Sequence, residues 1–314
     1  MNEIRFDPAR SSLGGSSRRG PHRLAAALGC PINWALRYID GHRPKEEPTF
    51  RLGGTLIHTG VAVHHALQMK QPPPWFDLLG RGTVEQRIVQ AVSMQAQGRP
   101  DDIRAALAVT EAYRDYDVGR PWTTLMVEYE FMATMGEVWA LRHSSPCPPD
   151  VIDELVSART DWVGLINGYF QMVDHKTLNP RNANNSLGTY RDHHEHFWQA
   201  AVNKLVATAE LKRSGGPEVE SFNIQRITRS LPLDVSIDAI LLPTVAMDEI
   251  PRAMVTALRQ ERQLMAWIDG GEKLPRHFHQ CYGRFGNCDF VNVCHATSKQ
   301  EQLAVLANDF YSVT

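Results

Sequence analysis

Residues 155–177 of this chain read LVSARTDWVGLINGYFQMVDHKT. Runs of aliphatic and aromatic residues flank the dipeptide Asn167-Gly168. Asn-Gly between two such runs is the strongest short-range signal for a two-residue hairpin turn, because both turn positions need a positive φ. The segment therefore predicts two antiparallel strands in which Ile166 faces Tyr169, and this register extends along both strands.

The same register places Asp161 directly opposite Asp174. Cβ atoms in opposed positions are about 4.5–5.5 Å apart, and two carboxylates at that spacing repel each other unless a cation lies between them. Lys176 comes two positions after Asp174, so its side chain points to the same face. Two oxygen ligands and one ammonium suit a hard divalent cation, Mg²⁺ or Mn²⁺, with a phosphate beside it. Solvated strand ends carry such residues too, but the fixed pairing favours the metal site.

The rest of the chain predicts helices on either side of these strands. Hydrophobic periodicity indicates helices at 23–38 (interrupted at Pro31), 55–69, 83–98, 101–117, 193–213 and 247–268, strands at 122–133 and 138–143, and a second hairpin at 219–243. This order predicts a mixed α/β (α+β) fold with a central mixed, largely antiparallel sheet flanked by helices. The expected organisation is a flexible lead-in (1–20), a single domain (21–294) with a helical insertion (71–120) and a cysteine-bearing segment (281–294), and a C-terminal tail (295–314).

The amino-acid composition and net charge indicate the class of protein. The chain has 314 residues, 43% of them hydrophobic and 22% charged, and its formal charge is -2. Such a balance predicts a globular protein in which any contact with nucleic acid comes from a local basic groove. No apolar run is long enough to cross a bilayer, and the charged start MNEIRFDPAR is unlike a secretory signal. We therefore expect a cytoplasmic protein with no membrane partner.

The cysteines predict a second metal site. Cys281, Cys288 and Cys294 are close together in the sequence, and Cys30 is near the other end. Five cysteines are an odd number for a disulfide framework, and a reducing compartment disfavours disulfides. Four thiolates suit a [4Fe–4S] cluster or a structural Zn²⁺, and spacing does not separate the two. His277, His279 and His295 keep a mixed zinc site open, while Cys147 has no assigned role.

These motifs together resemble the core of the PD-(D/E)XK nucleases, which has the restriction-endonuclease-like fold. The resemblance rests on Asp161, on Asp174-His175-Lys176 with the following Thr177, and on the strand Val-Glu-Tyr-Glu-Phe at 127–131. Gly54-Thr-Leu-Ile-His58 resembles the Gly-x-x-x-His helix motif of the RecB-like exonuclease branch, and Gln199 resembles the glutamine of that branch.

The resemblance implies a role for each matching residue. His58, Asp161, Asp174 and the backbone carbonyl of His175 would bind the metal. Lys176 would be the catalytic lysine, and Gln199 would orient it or the substrate. Relatives often have tyrosine four positions after the glutamine; here Asn203 stands there, which leaves its role open. We expect Glu130, rather than Glu128, to lie near the site or contact a DNA end.

The four cysteines are similar to those of the cluster-bearing members, the AddB type and the CRISPR-adaptation exonucleases. In those proteins an iron–sulfur cluster joins the C-terminal segment to the N-terminal helix. The five residues between Cys288 and Cys294 match that pattern, whereas the six between Cys281 and Cys288 exceed the usual two. The resemblance thus favours Cys30, Cys281, Cys288 and Cys294 as ligands of a [4Fe–4S] cluster, with Zn²⁺ as the alternative.

The expected function is a metal-dependent DNA exonuclease acting at single-stranded or frayed ends, in recombination, repair, phage replication or CRISPR adaptation. The chain has no phosphate-binding Gly-x-x-x-x-Gly-Lys motif, so unwinding would need a helicase, recombination or integrase partner protein. The alternatives are a non-catalytic DNA-binding module of a larger complex, stabilised by a cluster or zinc, and a zinc-stapled interaction protein. The basic residues considered for DNA contact are Arg18, Arg19, Arg23, Arg181, Lys204, Lys212 and Arg213, with the asparagine-rich loop 179–185.

Overall fold

A five-stranded mixed sheet contains the 155–177 hairpin, in a computed structural model that describes residues 6–13, 17–45, 49–96, 99–178, 190–276, 282–283 and 286–312. In chain order the strands are β1 (His42–Pro44), β2 (Trp122–Thr134), β3 (Leu155–Ile166), β4 (Tyr169–Leu178), β5 (Ser221–Thr228), β6 (Val235–Ala239), β7 (Tyr282–Gly283), β8 (Gly286–Asn287) and β9 (Phe310–Ser312). The central sheet has the order β2-β3-β4-β5-β6. β4 and β5 are parallel, and the other neighbours are antiparallel. The predicted fold class is confirmed.

Helices flank this sheet. They are α1 (Pro21–Gly29), α2 (Pro31–Trp34), α3 (Thr49–Leu67), α4 (Pro74–Asp77), α5 (Val84–Gln95), α6 (Pro100–Asp117), α7 (Met135–Ala140), α8 (Tyr190–Arg213), α9 (Thr244–Asp269), α10 (Val291–His295) and α11 (Lys299–Asp309). The predicted break at Pro31 is confirmed, since it separates α1 from α2. Within the described ranges, no helix is both long and apolar enough to span a membrane.

The Asn-Gly hairpin forms as predicted. Asn167 and Gly168 have φ of 53° and 83°, the left-handed conformation that such a turn requires. The strands pair from Ile166↔Tyr169 to Trp162↔Val173, the expected register. The turn residues therefore determine which side chains of β3 and β4 face each other.

Two long helices cover opposite faces of the sheet. α8 connects the parallel strands β4 and β5, a connection that cannot be a short turn. Successive residues of a strand point to opposite faces. Gln199 of α8 bonds to Asp174, whereas His65 of α3 stacks on the next residue, His175. α8 and α3 thus approach β4 from its two sides, and α5 and α6 pack against α3.

One predicted strand is wrong. Residues 138–143 were expected to be extended, but Met135–Ala140 forms α7. Thr134 and Glu137 make a reciprocal capping box, in which each side chain bonds to the other residue's backbone N–H. This cap starts a helix directly at the end of β2 and overrides the β propensity of the following residues.

Residues 6–13 and 17–20, within the expected lead-in, contact other parts of the chain. Ser11 bridges to Tyr129 on the outer edge of β2, and its hydroxyl donates to the Val127 carbonyl at 2.6 Å. Arg19 forms ion pairs with Glu261, at 2.7 Å, and with Glu154. An edge strand has unpaired backbone groups, and Ser11 covers part of that edge in β2.

The C-terminal region returns to the N-terminal helices. β9 pairs antiparallel with β1, with His42 opposite Ser312. Phe290 stacks on Phe310, with ring centroids 5.0 Å apart. The segment after the predicted domain end at 294 is therefore built into the structure as α11 and β9.

Candidate active site

The two strands of the hairpin separate where the acidic residues begin. Their backbone ladder ends at Trp162↔Val173, one position before Asp161 and Asp174 would pair. Beyond it, side chains of β3 take over the bonds to β4. The Asp161 carboxylate accepts from the His175 N–H at 2.6 Å, and the Thr160 hydroxyl donates to the Val173 carbonyl at 2.8 Å. The expected backbone pairing of the two aspartates is thus replaced by side-chain bonds.

Asp174 lies between two groups that the sequence predicted beside it. Its Oδ1 accepts a hydrogen bond of 3.1 Å from Gln199 Nε2, and its Oδ2 lies 2.5 Å from Lys176 Nζ. Asp174 itself is buried. Gln199 and Lys176 therefore fix the orientation of this carboxylate from two sides.

Lys176 carries its positive charge in this environment. Burial alone would lower the pKa of its ammonium group, but the charges of Asp174 and Asp161 outweigh burial and raise that pKa above its ordinary value. The group is therefore a cation beside two carboxylates, suited to stabilising negative charge on a phosphate.

His58 comes from α3 to the same place. Its Nδ1 lies 3.9 Å from Asp161 Oδ2, and its Nε2 is buried without a hydrogen-bond partner among the described residues. Burial lowers the pKa of the imidazole, as does the charge of Lys176. A neutral imidazole with an unsatisfied buried nitrogen is the state that binds a metal ion.

Gly54 explains why α3 approaches β4 so closely. A Cβ at position 54 would lie 2.7 Å from Thr177 Oγ1, closer than such atoms can approach. Residues four apart share a helix face, so Gly54 and His58 face the end of β4 together. In the Gly-x-x-x-His motif, the glycine thus allows α3 to approach β4 closely, and the histidine supplies a polar side chain on the same helix face.

His175 is buried on the opposite face from Asp174. Its ring stacks on that of His65, with centroids 5.8 Å apart, and burial lowers its pKa to about 3. His65 Nε2 lies 3.0 Å from the Tyr113 hydroxyl, which donates to Gln225 at 2.9 Å. The polar network continues through three further side chains: His64, Gln68 and Asp117. It supports β4 from behind, and sequence patterns gave no sign of it.

Asn203 bonds to β3. It is fully buried, and its Nδ2 donates to the Arg159 carbonyl at 3.1 Å. Gln199 and Asn203 share a face of α8, as predicted, but they contact different strands: Gln199 reaches Asp174 on β4, and Asn203 reaches the backbone of β3.

Glu128, and not Glu130, lies beside the aspartates. β2 pairs Val127 with Trp162 and Tyr129 with Thr160, so position 128 lies across from Asp161. Burial raises the pKa of Glu128 to about 8, and the charge of Asp161 adds to this effect.

The expectation for Glu130 is therefore corrected. Its carboxylate accepts a 2.6 Å hydrogen bond from the Arg18 N–H, in the N-terminal segment. A regular strand would place both glutamates on one face. Glu128 has a φ of 50°, which interrupts the alternation of side chains along β2. The side chains of Glu128 and Glu130 therefore point in different directions.

Most of the basic residues considered for DNA contact are engaged with protein groups. Arg19 and Arg23 both pair with Glu261, and Arg213 pairs with Glu137. Lys204 donates to the Glu220 carbonyl. Arg181 and the loop 179–185 lie outside the described residues.

The cysteine-bearing segment approaches the N-terminal helices. Cys30 immediately precedes α2, and Asn33 of α2 donates to Cys288 Sγ at 3.5 Å. Cys30 and Cys294 are buried. The neighbouring Asp289 forms ion pairs with Arg37 and, at 2.9 Å, with Arg51.

Of the two remaining cysteines, the structure describes only Cys147. Cys281, with His277 and His279, lies outside the described residues. Cys147 is buried in the main core, apart from the small cluster of side chains that includes Cys288.

The donor atoms of the site suit a divalent cation in kind, although, unlike those of His64, His65 and Asp117, they do not all lie within 4.8 Å of one another. Two carboxylates from adjacent strands, Asp161 and Asp174, and the neutral imidazole of His58 are hard or borderline donors of the kind that Mg²⁺ and Mn²⁺ accept. The Nε2 atom of His58 is buried without a hydrogen-bond partner among the described residues, so it can accept a ligand.

Comparison with known proteins gives one family. A family model described as the PD-(D/E)XK nuclease superfamily matches residues 20–295. The 2.19 Å crystal structure of a candidate exonuclease from Eubacterium rectale is similar, with a TM-score of 0.46 and 12% identity, covering 90% of this chain and 89% of that chain. No curated protein matches the sequence at a significant level.

Proposed function

The chain belongs to the PD-(D/E)XK nuclease superfamily, and from this premise we propose that it is a metal-dependent exonuclease that hydrolyses phosphodiester bonds at DNA ends. The observation that carries the proposal is the buried Asp174 carboxylate, which Lys176 and Gln199 hold beside Asp161. A buried carboxylate in contact with an ammonium, next to a second carboxylate, is an arrangement for binding a cation and a phosphate together.

Each residue has a separate role in this proposal. Asp161, Asp174 and His58, with the carbonyl of His175, would hold Mg²⁺ or Mn²⁺, which would neutralise charge on the phosphate and acidify a water molecule. Lys176 contacts the phosphate and stabilises the negative charge that develops there. Gln199 is a positioning residue, because it acts on Asp174 and not on the substrate. Glu128, which Arg159 contacts at 2.8 Å, adds a carboxyl group close to Asp161.

Digestion of end-labelled DNA tests the proposal. Single- and double-stranded substrates are incubated with Mg²⁺, Mn²⁺ or a chelator, using wild type and Asp174→Asn. A matched control is Asp101→Asn, since the Asp101 side chain is 85% exposed on α6. We expect metal-dependent loss of label in wild type and the control, and none in Asp174→Asn. Binding without cleavage under every metal condition would instead favour a non-catalytic DNA-binding module.

We propose further that Cys30, Cys281, Cys288 and Cys294 bind a [4Fe–4S] cluster. The support is the approach of Cys288 to Asn33, three positions after Cys30, together with the ion pairs of Asp289 to Arg37 and Arg51. Protein purified without air should be brown and contain about four iron and four sulfide per chain. Colourless protein with one bound zinc would favour the Zn²⁺ alternative, and Cys147→Ser serves as the control for Cys288→Ser.

The remaining proposals concern the cellular setting. DNA, single-stranded or at an end, is the proposed partner, and a helicase, recombination or integrase protein would supply unwinding or hand over the end. We place the protein in the cytoplasm. Co-purification of such a protein from native cells, with and without nuclease treatment, tests whether the association depends on DNA.

A further inference from the structure

A pocket of about 340 Å³ opens between α3 and the ends of β4 and β5. Its cationic lining residues are Arg51, Lys176 and Arg229, and no acidic residue is among the described residues that line it. Thr55 and Thr177 add hydroxyl groups to its wall. The lining thus offers hydrogen-bond donors and positive charge, the complement of an anion with several oxygens.

The pocket shares a wall with the candidate metal site. His58 and Lys176 line the pocket and also lie beside the two aspartates. Position 229 follows the last parallel pair, Leu178↔Thr228, and the Arg229 N–H donates to the Leu178 carbonyl at 2.9 Å. The backbone beneath Arg229 is therefore anchored to the strand that carries Lys176. An anion in the pocket would lie next to a phosphate held at the candidate metal site.

Helix α3 supplies the other side. Residues 51, 55 and 58 fall on one face of a helix, and Gly54 allows this face to approach Thr177. The Arg51 guanidinium pairs with Asp289 at 2.9 Å, and the same carboxylate pairs with Arg37. One carboxylate shared by two guanidinium groups leaves positive charge at the rim of the pocket.

Burial also acts on Arg229, lowering the pKa of its guanidinium. Its side chain is half-buried. A cation held in a partly desolvated position gains more from an anionic ligand than an exposed one does. Arg229 is therefore the residue whose replacement should change binding most.

We propose that this pocket binds the terminal phosphate of a DNA end, next to the phosphodiester that is cleaved. A phosphate monoester carries a charge of about −1.5 to −2, against −1 for an internal phosphodiester, and so matches a pocket with three cations better. The inference rests on the proposed nuclease function and adds the group that the enzyme recognises. The monoester is at the 5′ or the 3′ end, and substrates that differ only there distinguish the two.

Equilibrium binding in the presence of a chelator tests this without cleavage. The ligands are single-stranded oligonucleotides of one sequence with a 5′-phosphate, a 3′-phosphate or hydroxyl groups at both ends. We expect wild type to bind one phosphorylated form about tenfold more tightly than the hydroxyl form, the effect of one charge-assisted contact. Arg229→Gln should remove that preference. Arg252→Gln should keep it, because Arg252 is 60% exposed on α9.

A second variant keeps the test usable if Arg229→Gln does not fold. If Arg229→Gln has lost its native circular dichroism spectrum, Arg51→Gln takes its place with the same expected result. Equal binding of all three oligonucleotides by wild type overturns the proposal, as does a preference that survives in the folded pocket variants. Equal weakening of all three ligands also overturns it and indicates an internal phosphodiester.

The cleavage and binding experiments together distinguish failure of the pocket proposal from failure of the nuclease proposal. Cleavage of DNA by wild type without any preference for a terminal phosphate would keep the nuclease function and overturn the pocket. A preference for a phosphorylated end in a protein that cleaves nothing under any metal condition would keep the pocket and overturn the nuclease function.

Discussion

The carboxylate of Asp161 accepts a 2.6 Å hydrogen bond from the backbone N–H of His175. A side chain on β3 thus does what a backbone carbonyl does elsewhere in the sheet, at the position where the ladder has ended. Asp161 consequently has a structural role in holding β4 as well as the proposed role in binding a cation.

Two substitutions at Asp161 should separate these roles. Asp161→Asn keeps an oxygen that can accept from His175 but loses the charge, so we expect loss of cleavage with little change in unfolding free energy. Asp161→Ala leaves the buried N–H without a partner and should also lower the unfolding free energy by about 1–3 kcal/mol. Urea unfolding and DNA cleavage measure the two effects. Equal stability of both variants would contradict the structural role.

Gln199 should act through Asp174. Removal of a group that orients a metal ligand typically costs about 10–100-fold in metal affinity or activity. We therefore expect Gln199→Ala to need more Mn²⁺ for half-maximal cleavage, by about that factor. Gln90→Ala, at an exposed position of α5, is the control. An unchanged metal requirement with reduced cleavage at saturating Mn²⁺ would show that Gln199 does not act through metal binding.

Adjacent glycines offer a matched pair on α3. Gly54→Ala places a methyl group 2.7 Å from Thr177 Oγ1, and overpacking of this kind costs about 1–3 kcal/mol. Gly53→Ala meets nothing within 4 Å and should stabilise the helix by about 0.5–1 kcal/mol. Thermal unfolding of both variants measures the difference. Adding Thr177→Ala to Gly54→Ala should restore part of the lost stability, and failure to do so would mean that another contact is responsible.

Stability should fall in acid through Glu154. Burial would raise the pKa of this carboxyl group, but Arg262 and Arg19 outweigh it and hold the pKa below its ordinary value of 4.5. A carboxyl group with a lowered pKa in the folded state stabilises the fold above its unfolded pKa, and this contribution disappears as pH falls through the folded value.

Glu154→Gln should therefore lower the unfolding free energy at pH 6 and have a smaller effect at pH 3. Urea titrations at the two pH values measure this. The exposed Glu249→Gln on α9 is the control. An equal loss at both pH values would show that the ion pairs with Arg19 and Arg262 contribute nothing through charge.

The parts of this site that sequence predicted are those set by local rules. The Asn-Gly turn requires positive φ at both of its residues, and this requirement fixed the register of β3 and β4. Helix periodicity likewise placed Gln199 and Asn203 on one face. The order of elements then gave the mixed sheet, and the family resemblance gave the approach of His58 on α3 and Gln199 on α8 to β4.

Long-range and irregular features escaped prediction. Glu128 and Glu130 point in different directions because Glu128 has a φ of 50°, which glutamate has no tendency to adopt, so no residue pattern reveals it. The network behind His175 joins α3, α6 and β5, and its members are spread along the chain. The error at 138–143 was avoidable, because Thr134 and Glu137 have the spacing of a capping box.

The bond between Ser312 and the Asp40 carbonyl joins positions 272 residues apart. During synthesis, residues 122–239 of the central sheet emerge long before β9 exists to pair with β1. Arg51, at the rim of the pocket, acquires its partner Asp289 only near the end of translation. A contact of such sequence separation forms late and slowly. The ion pair at the pocket rim is thus completed after the strands of the central sheet have been synthesised.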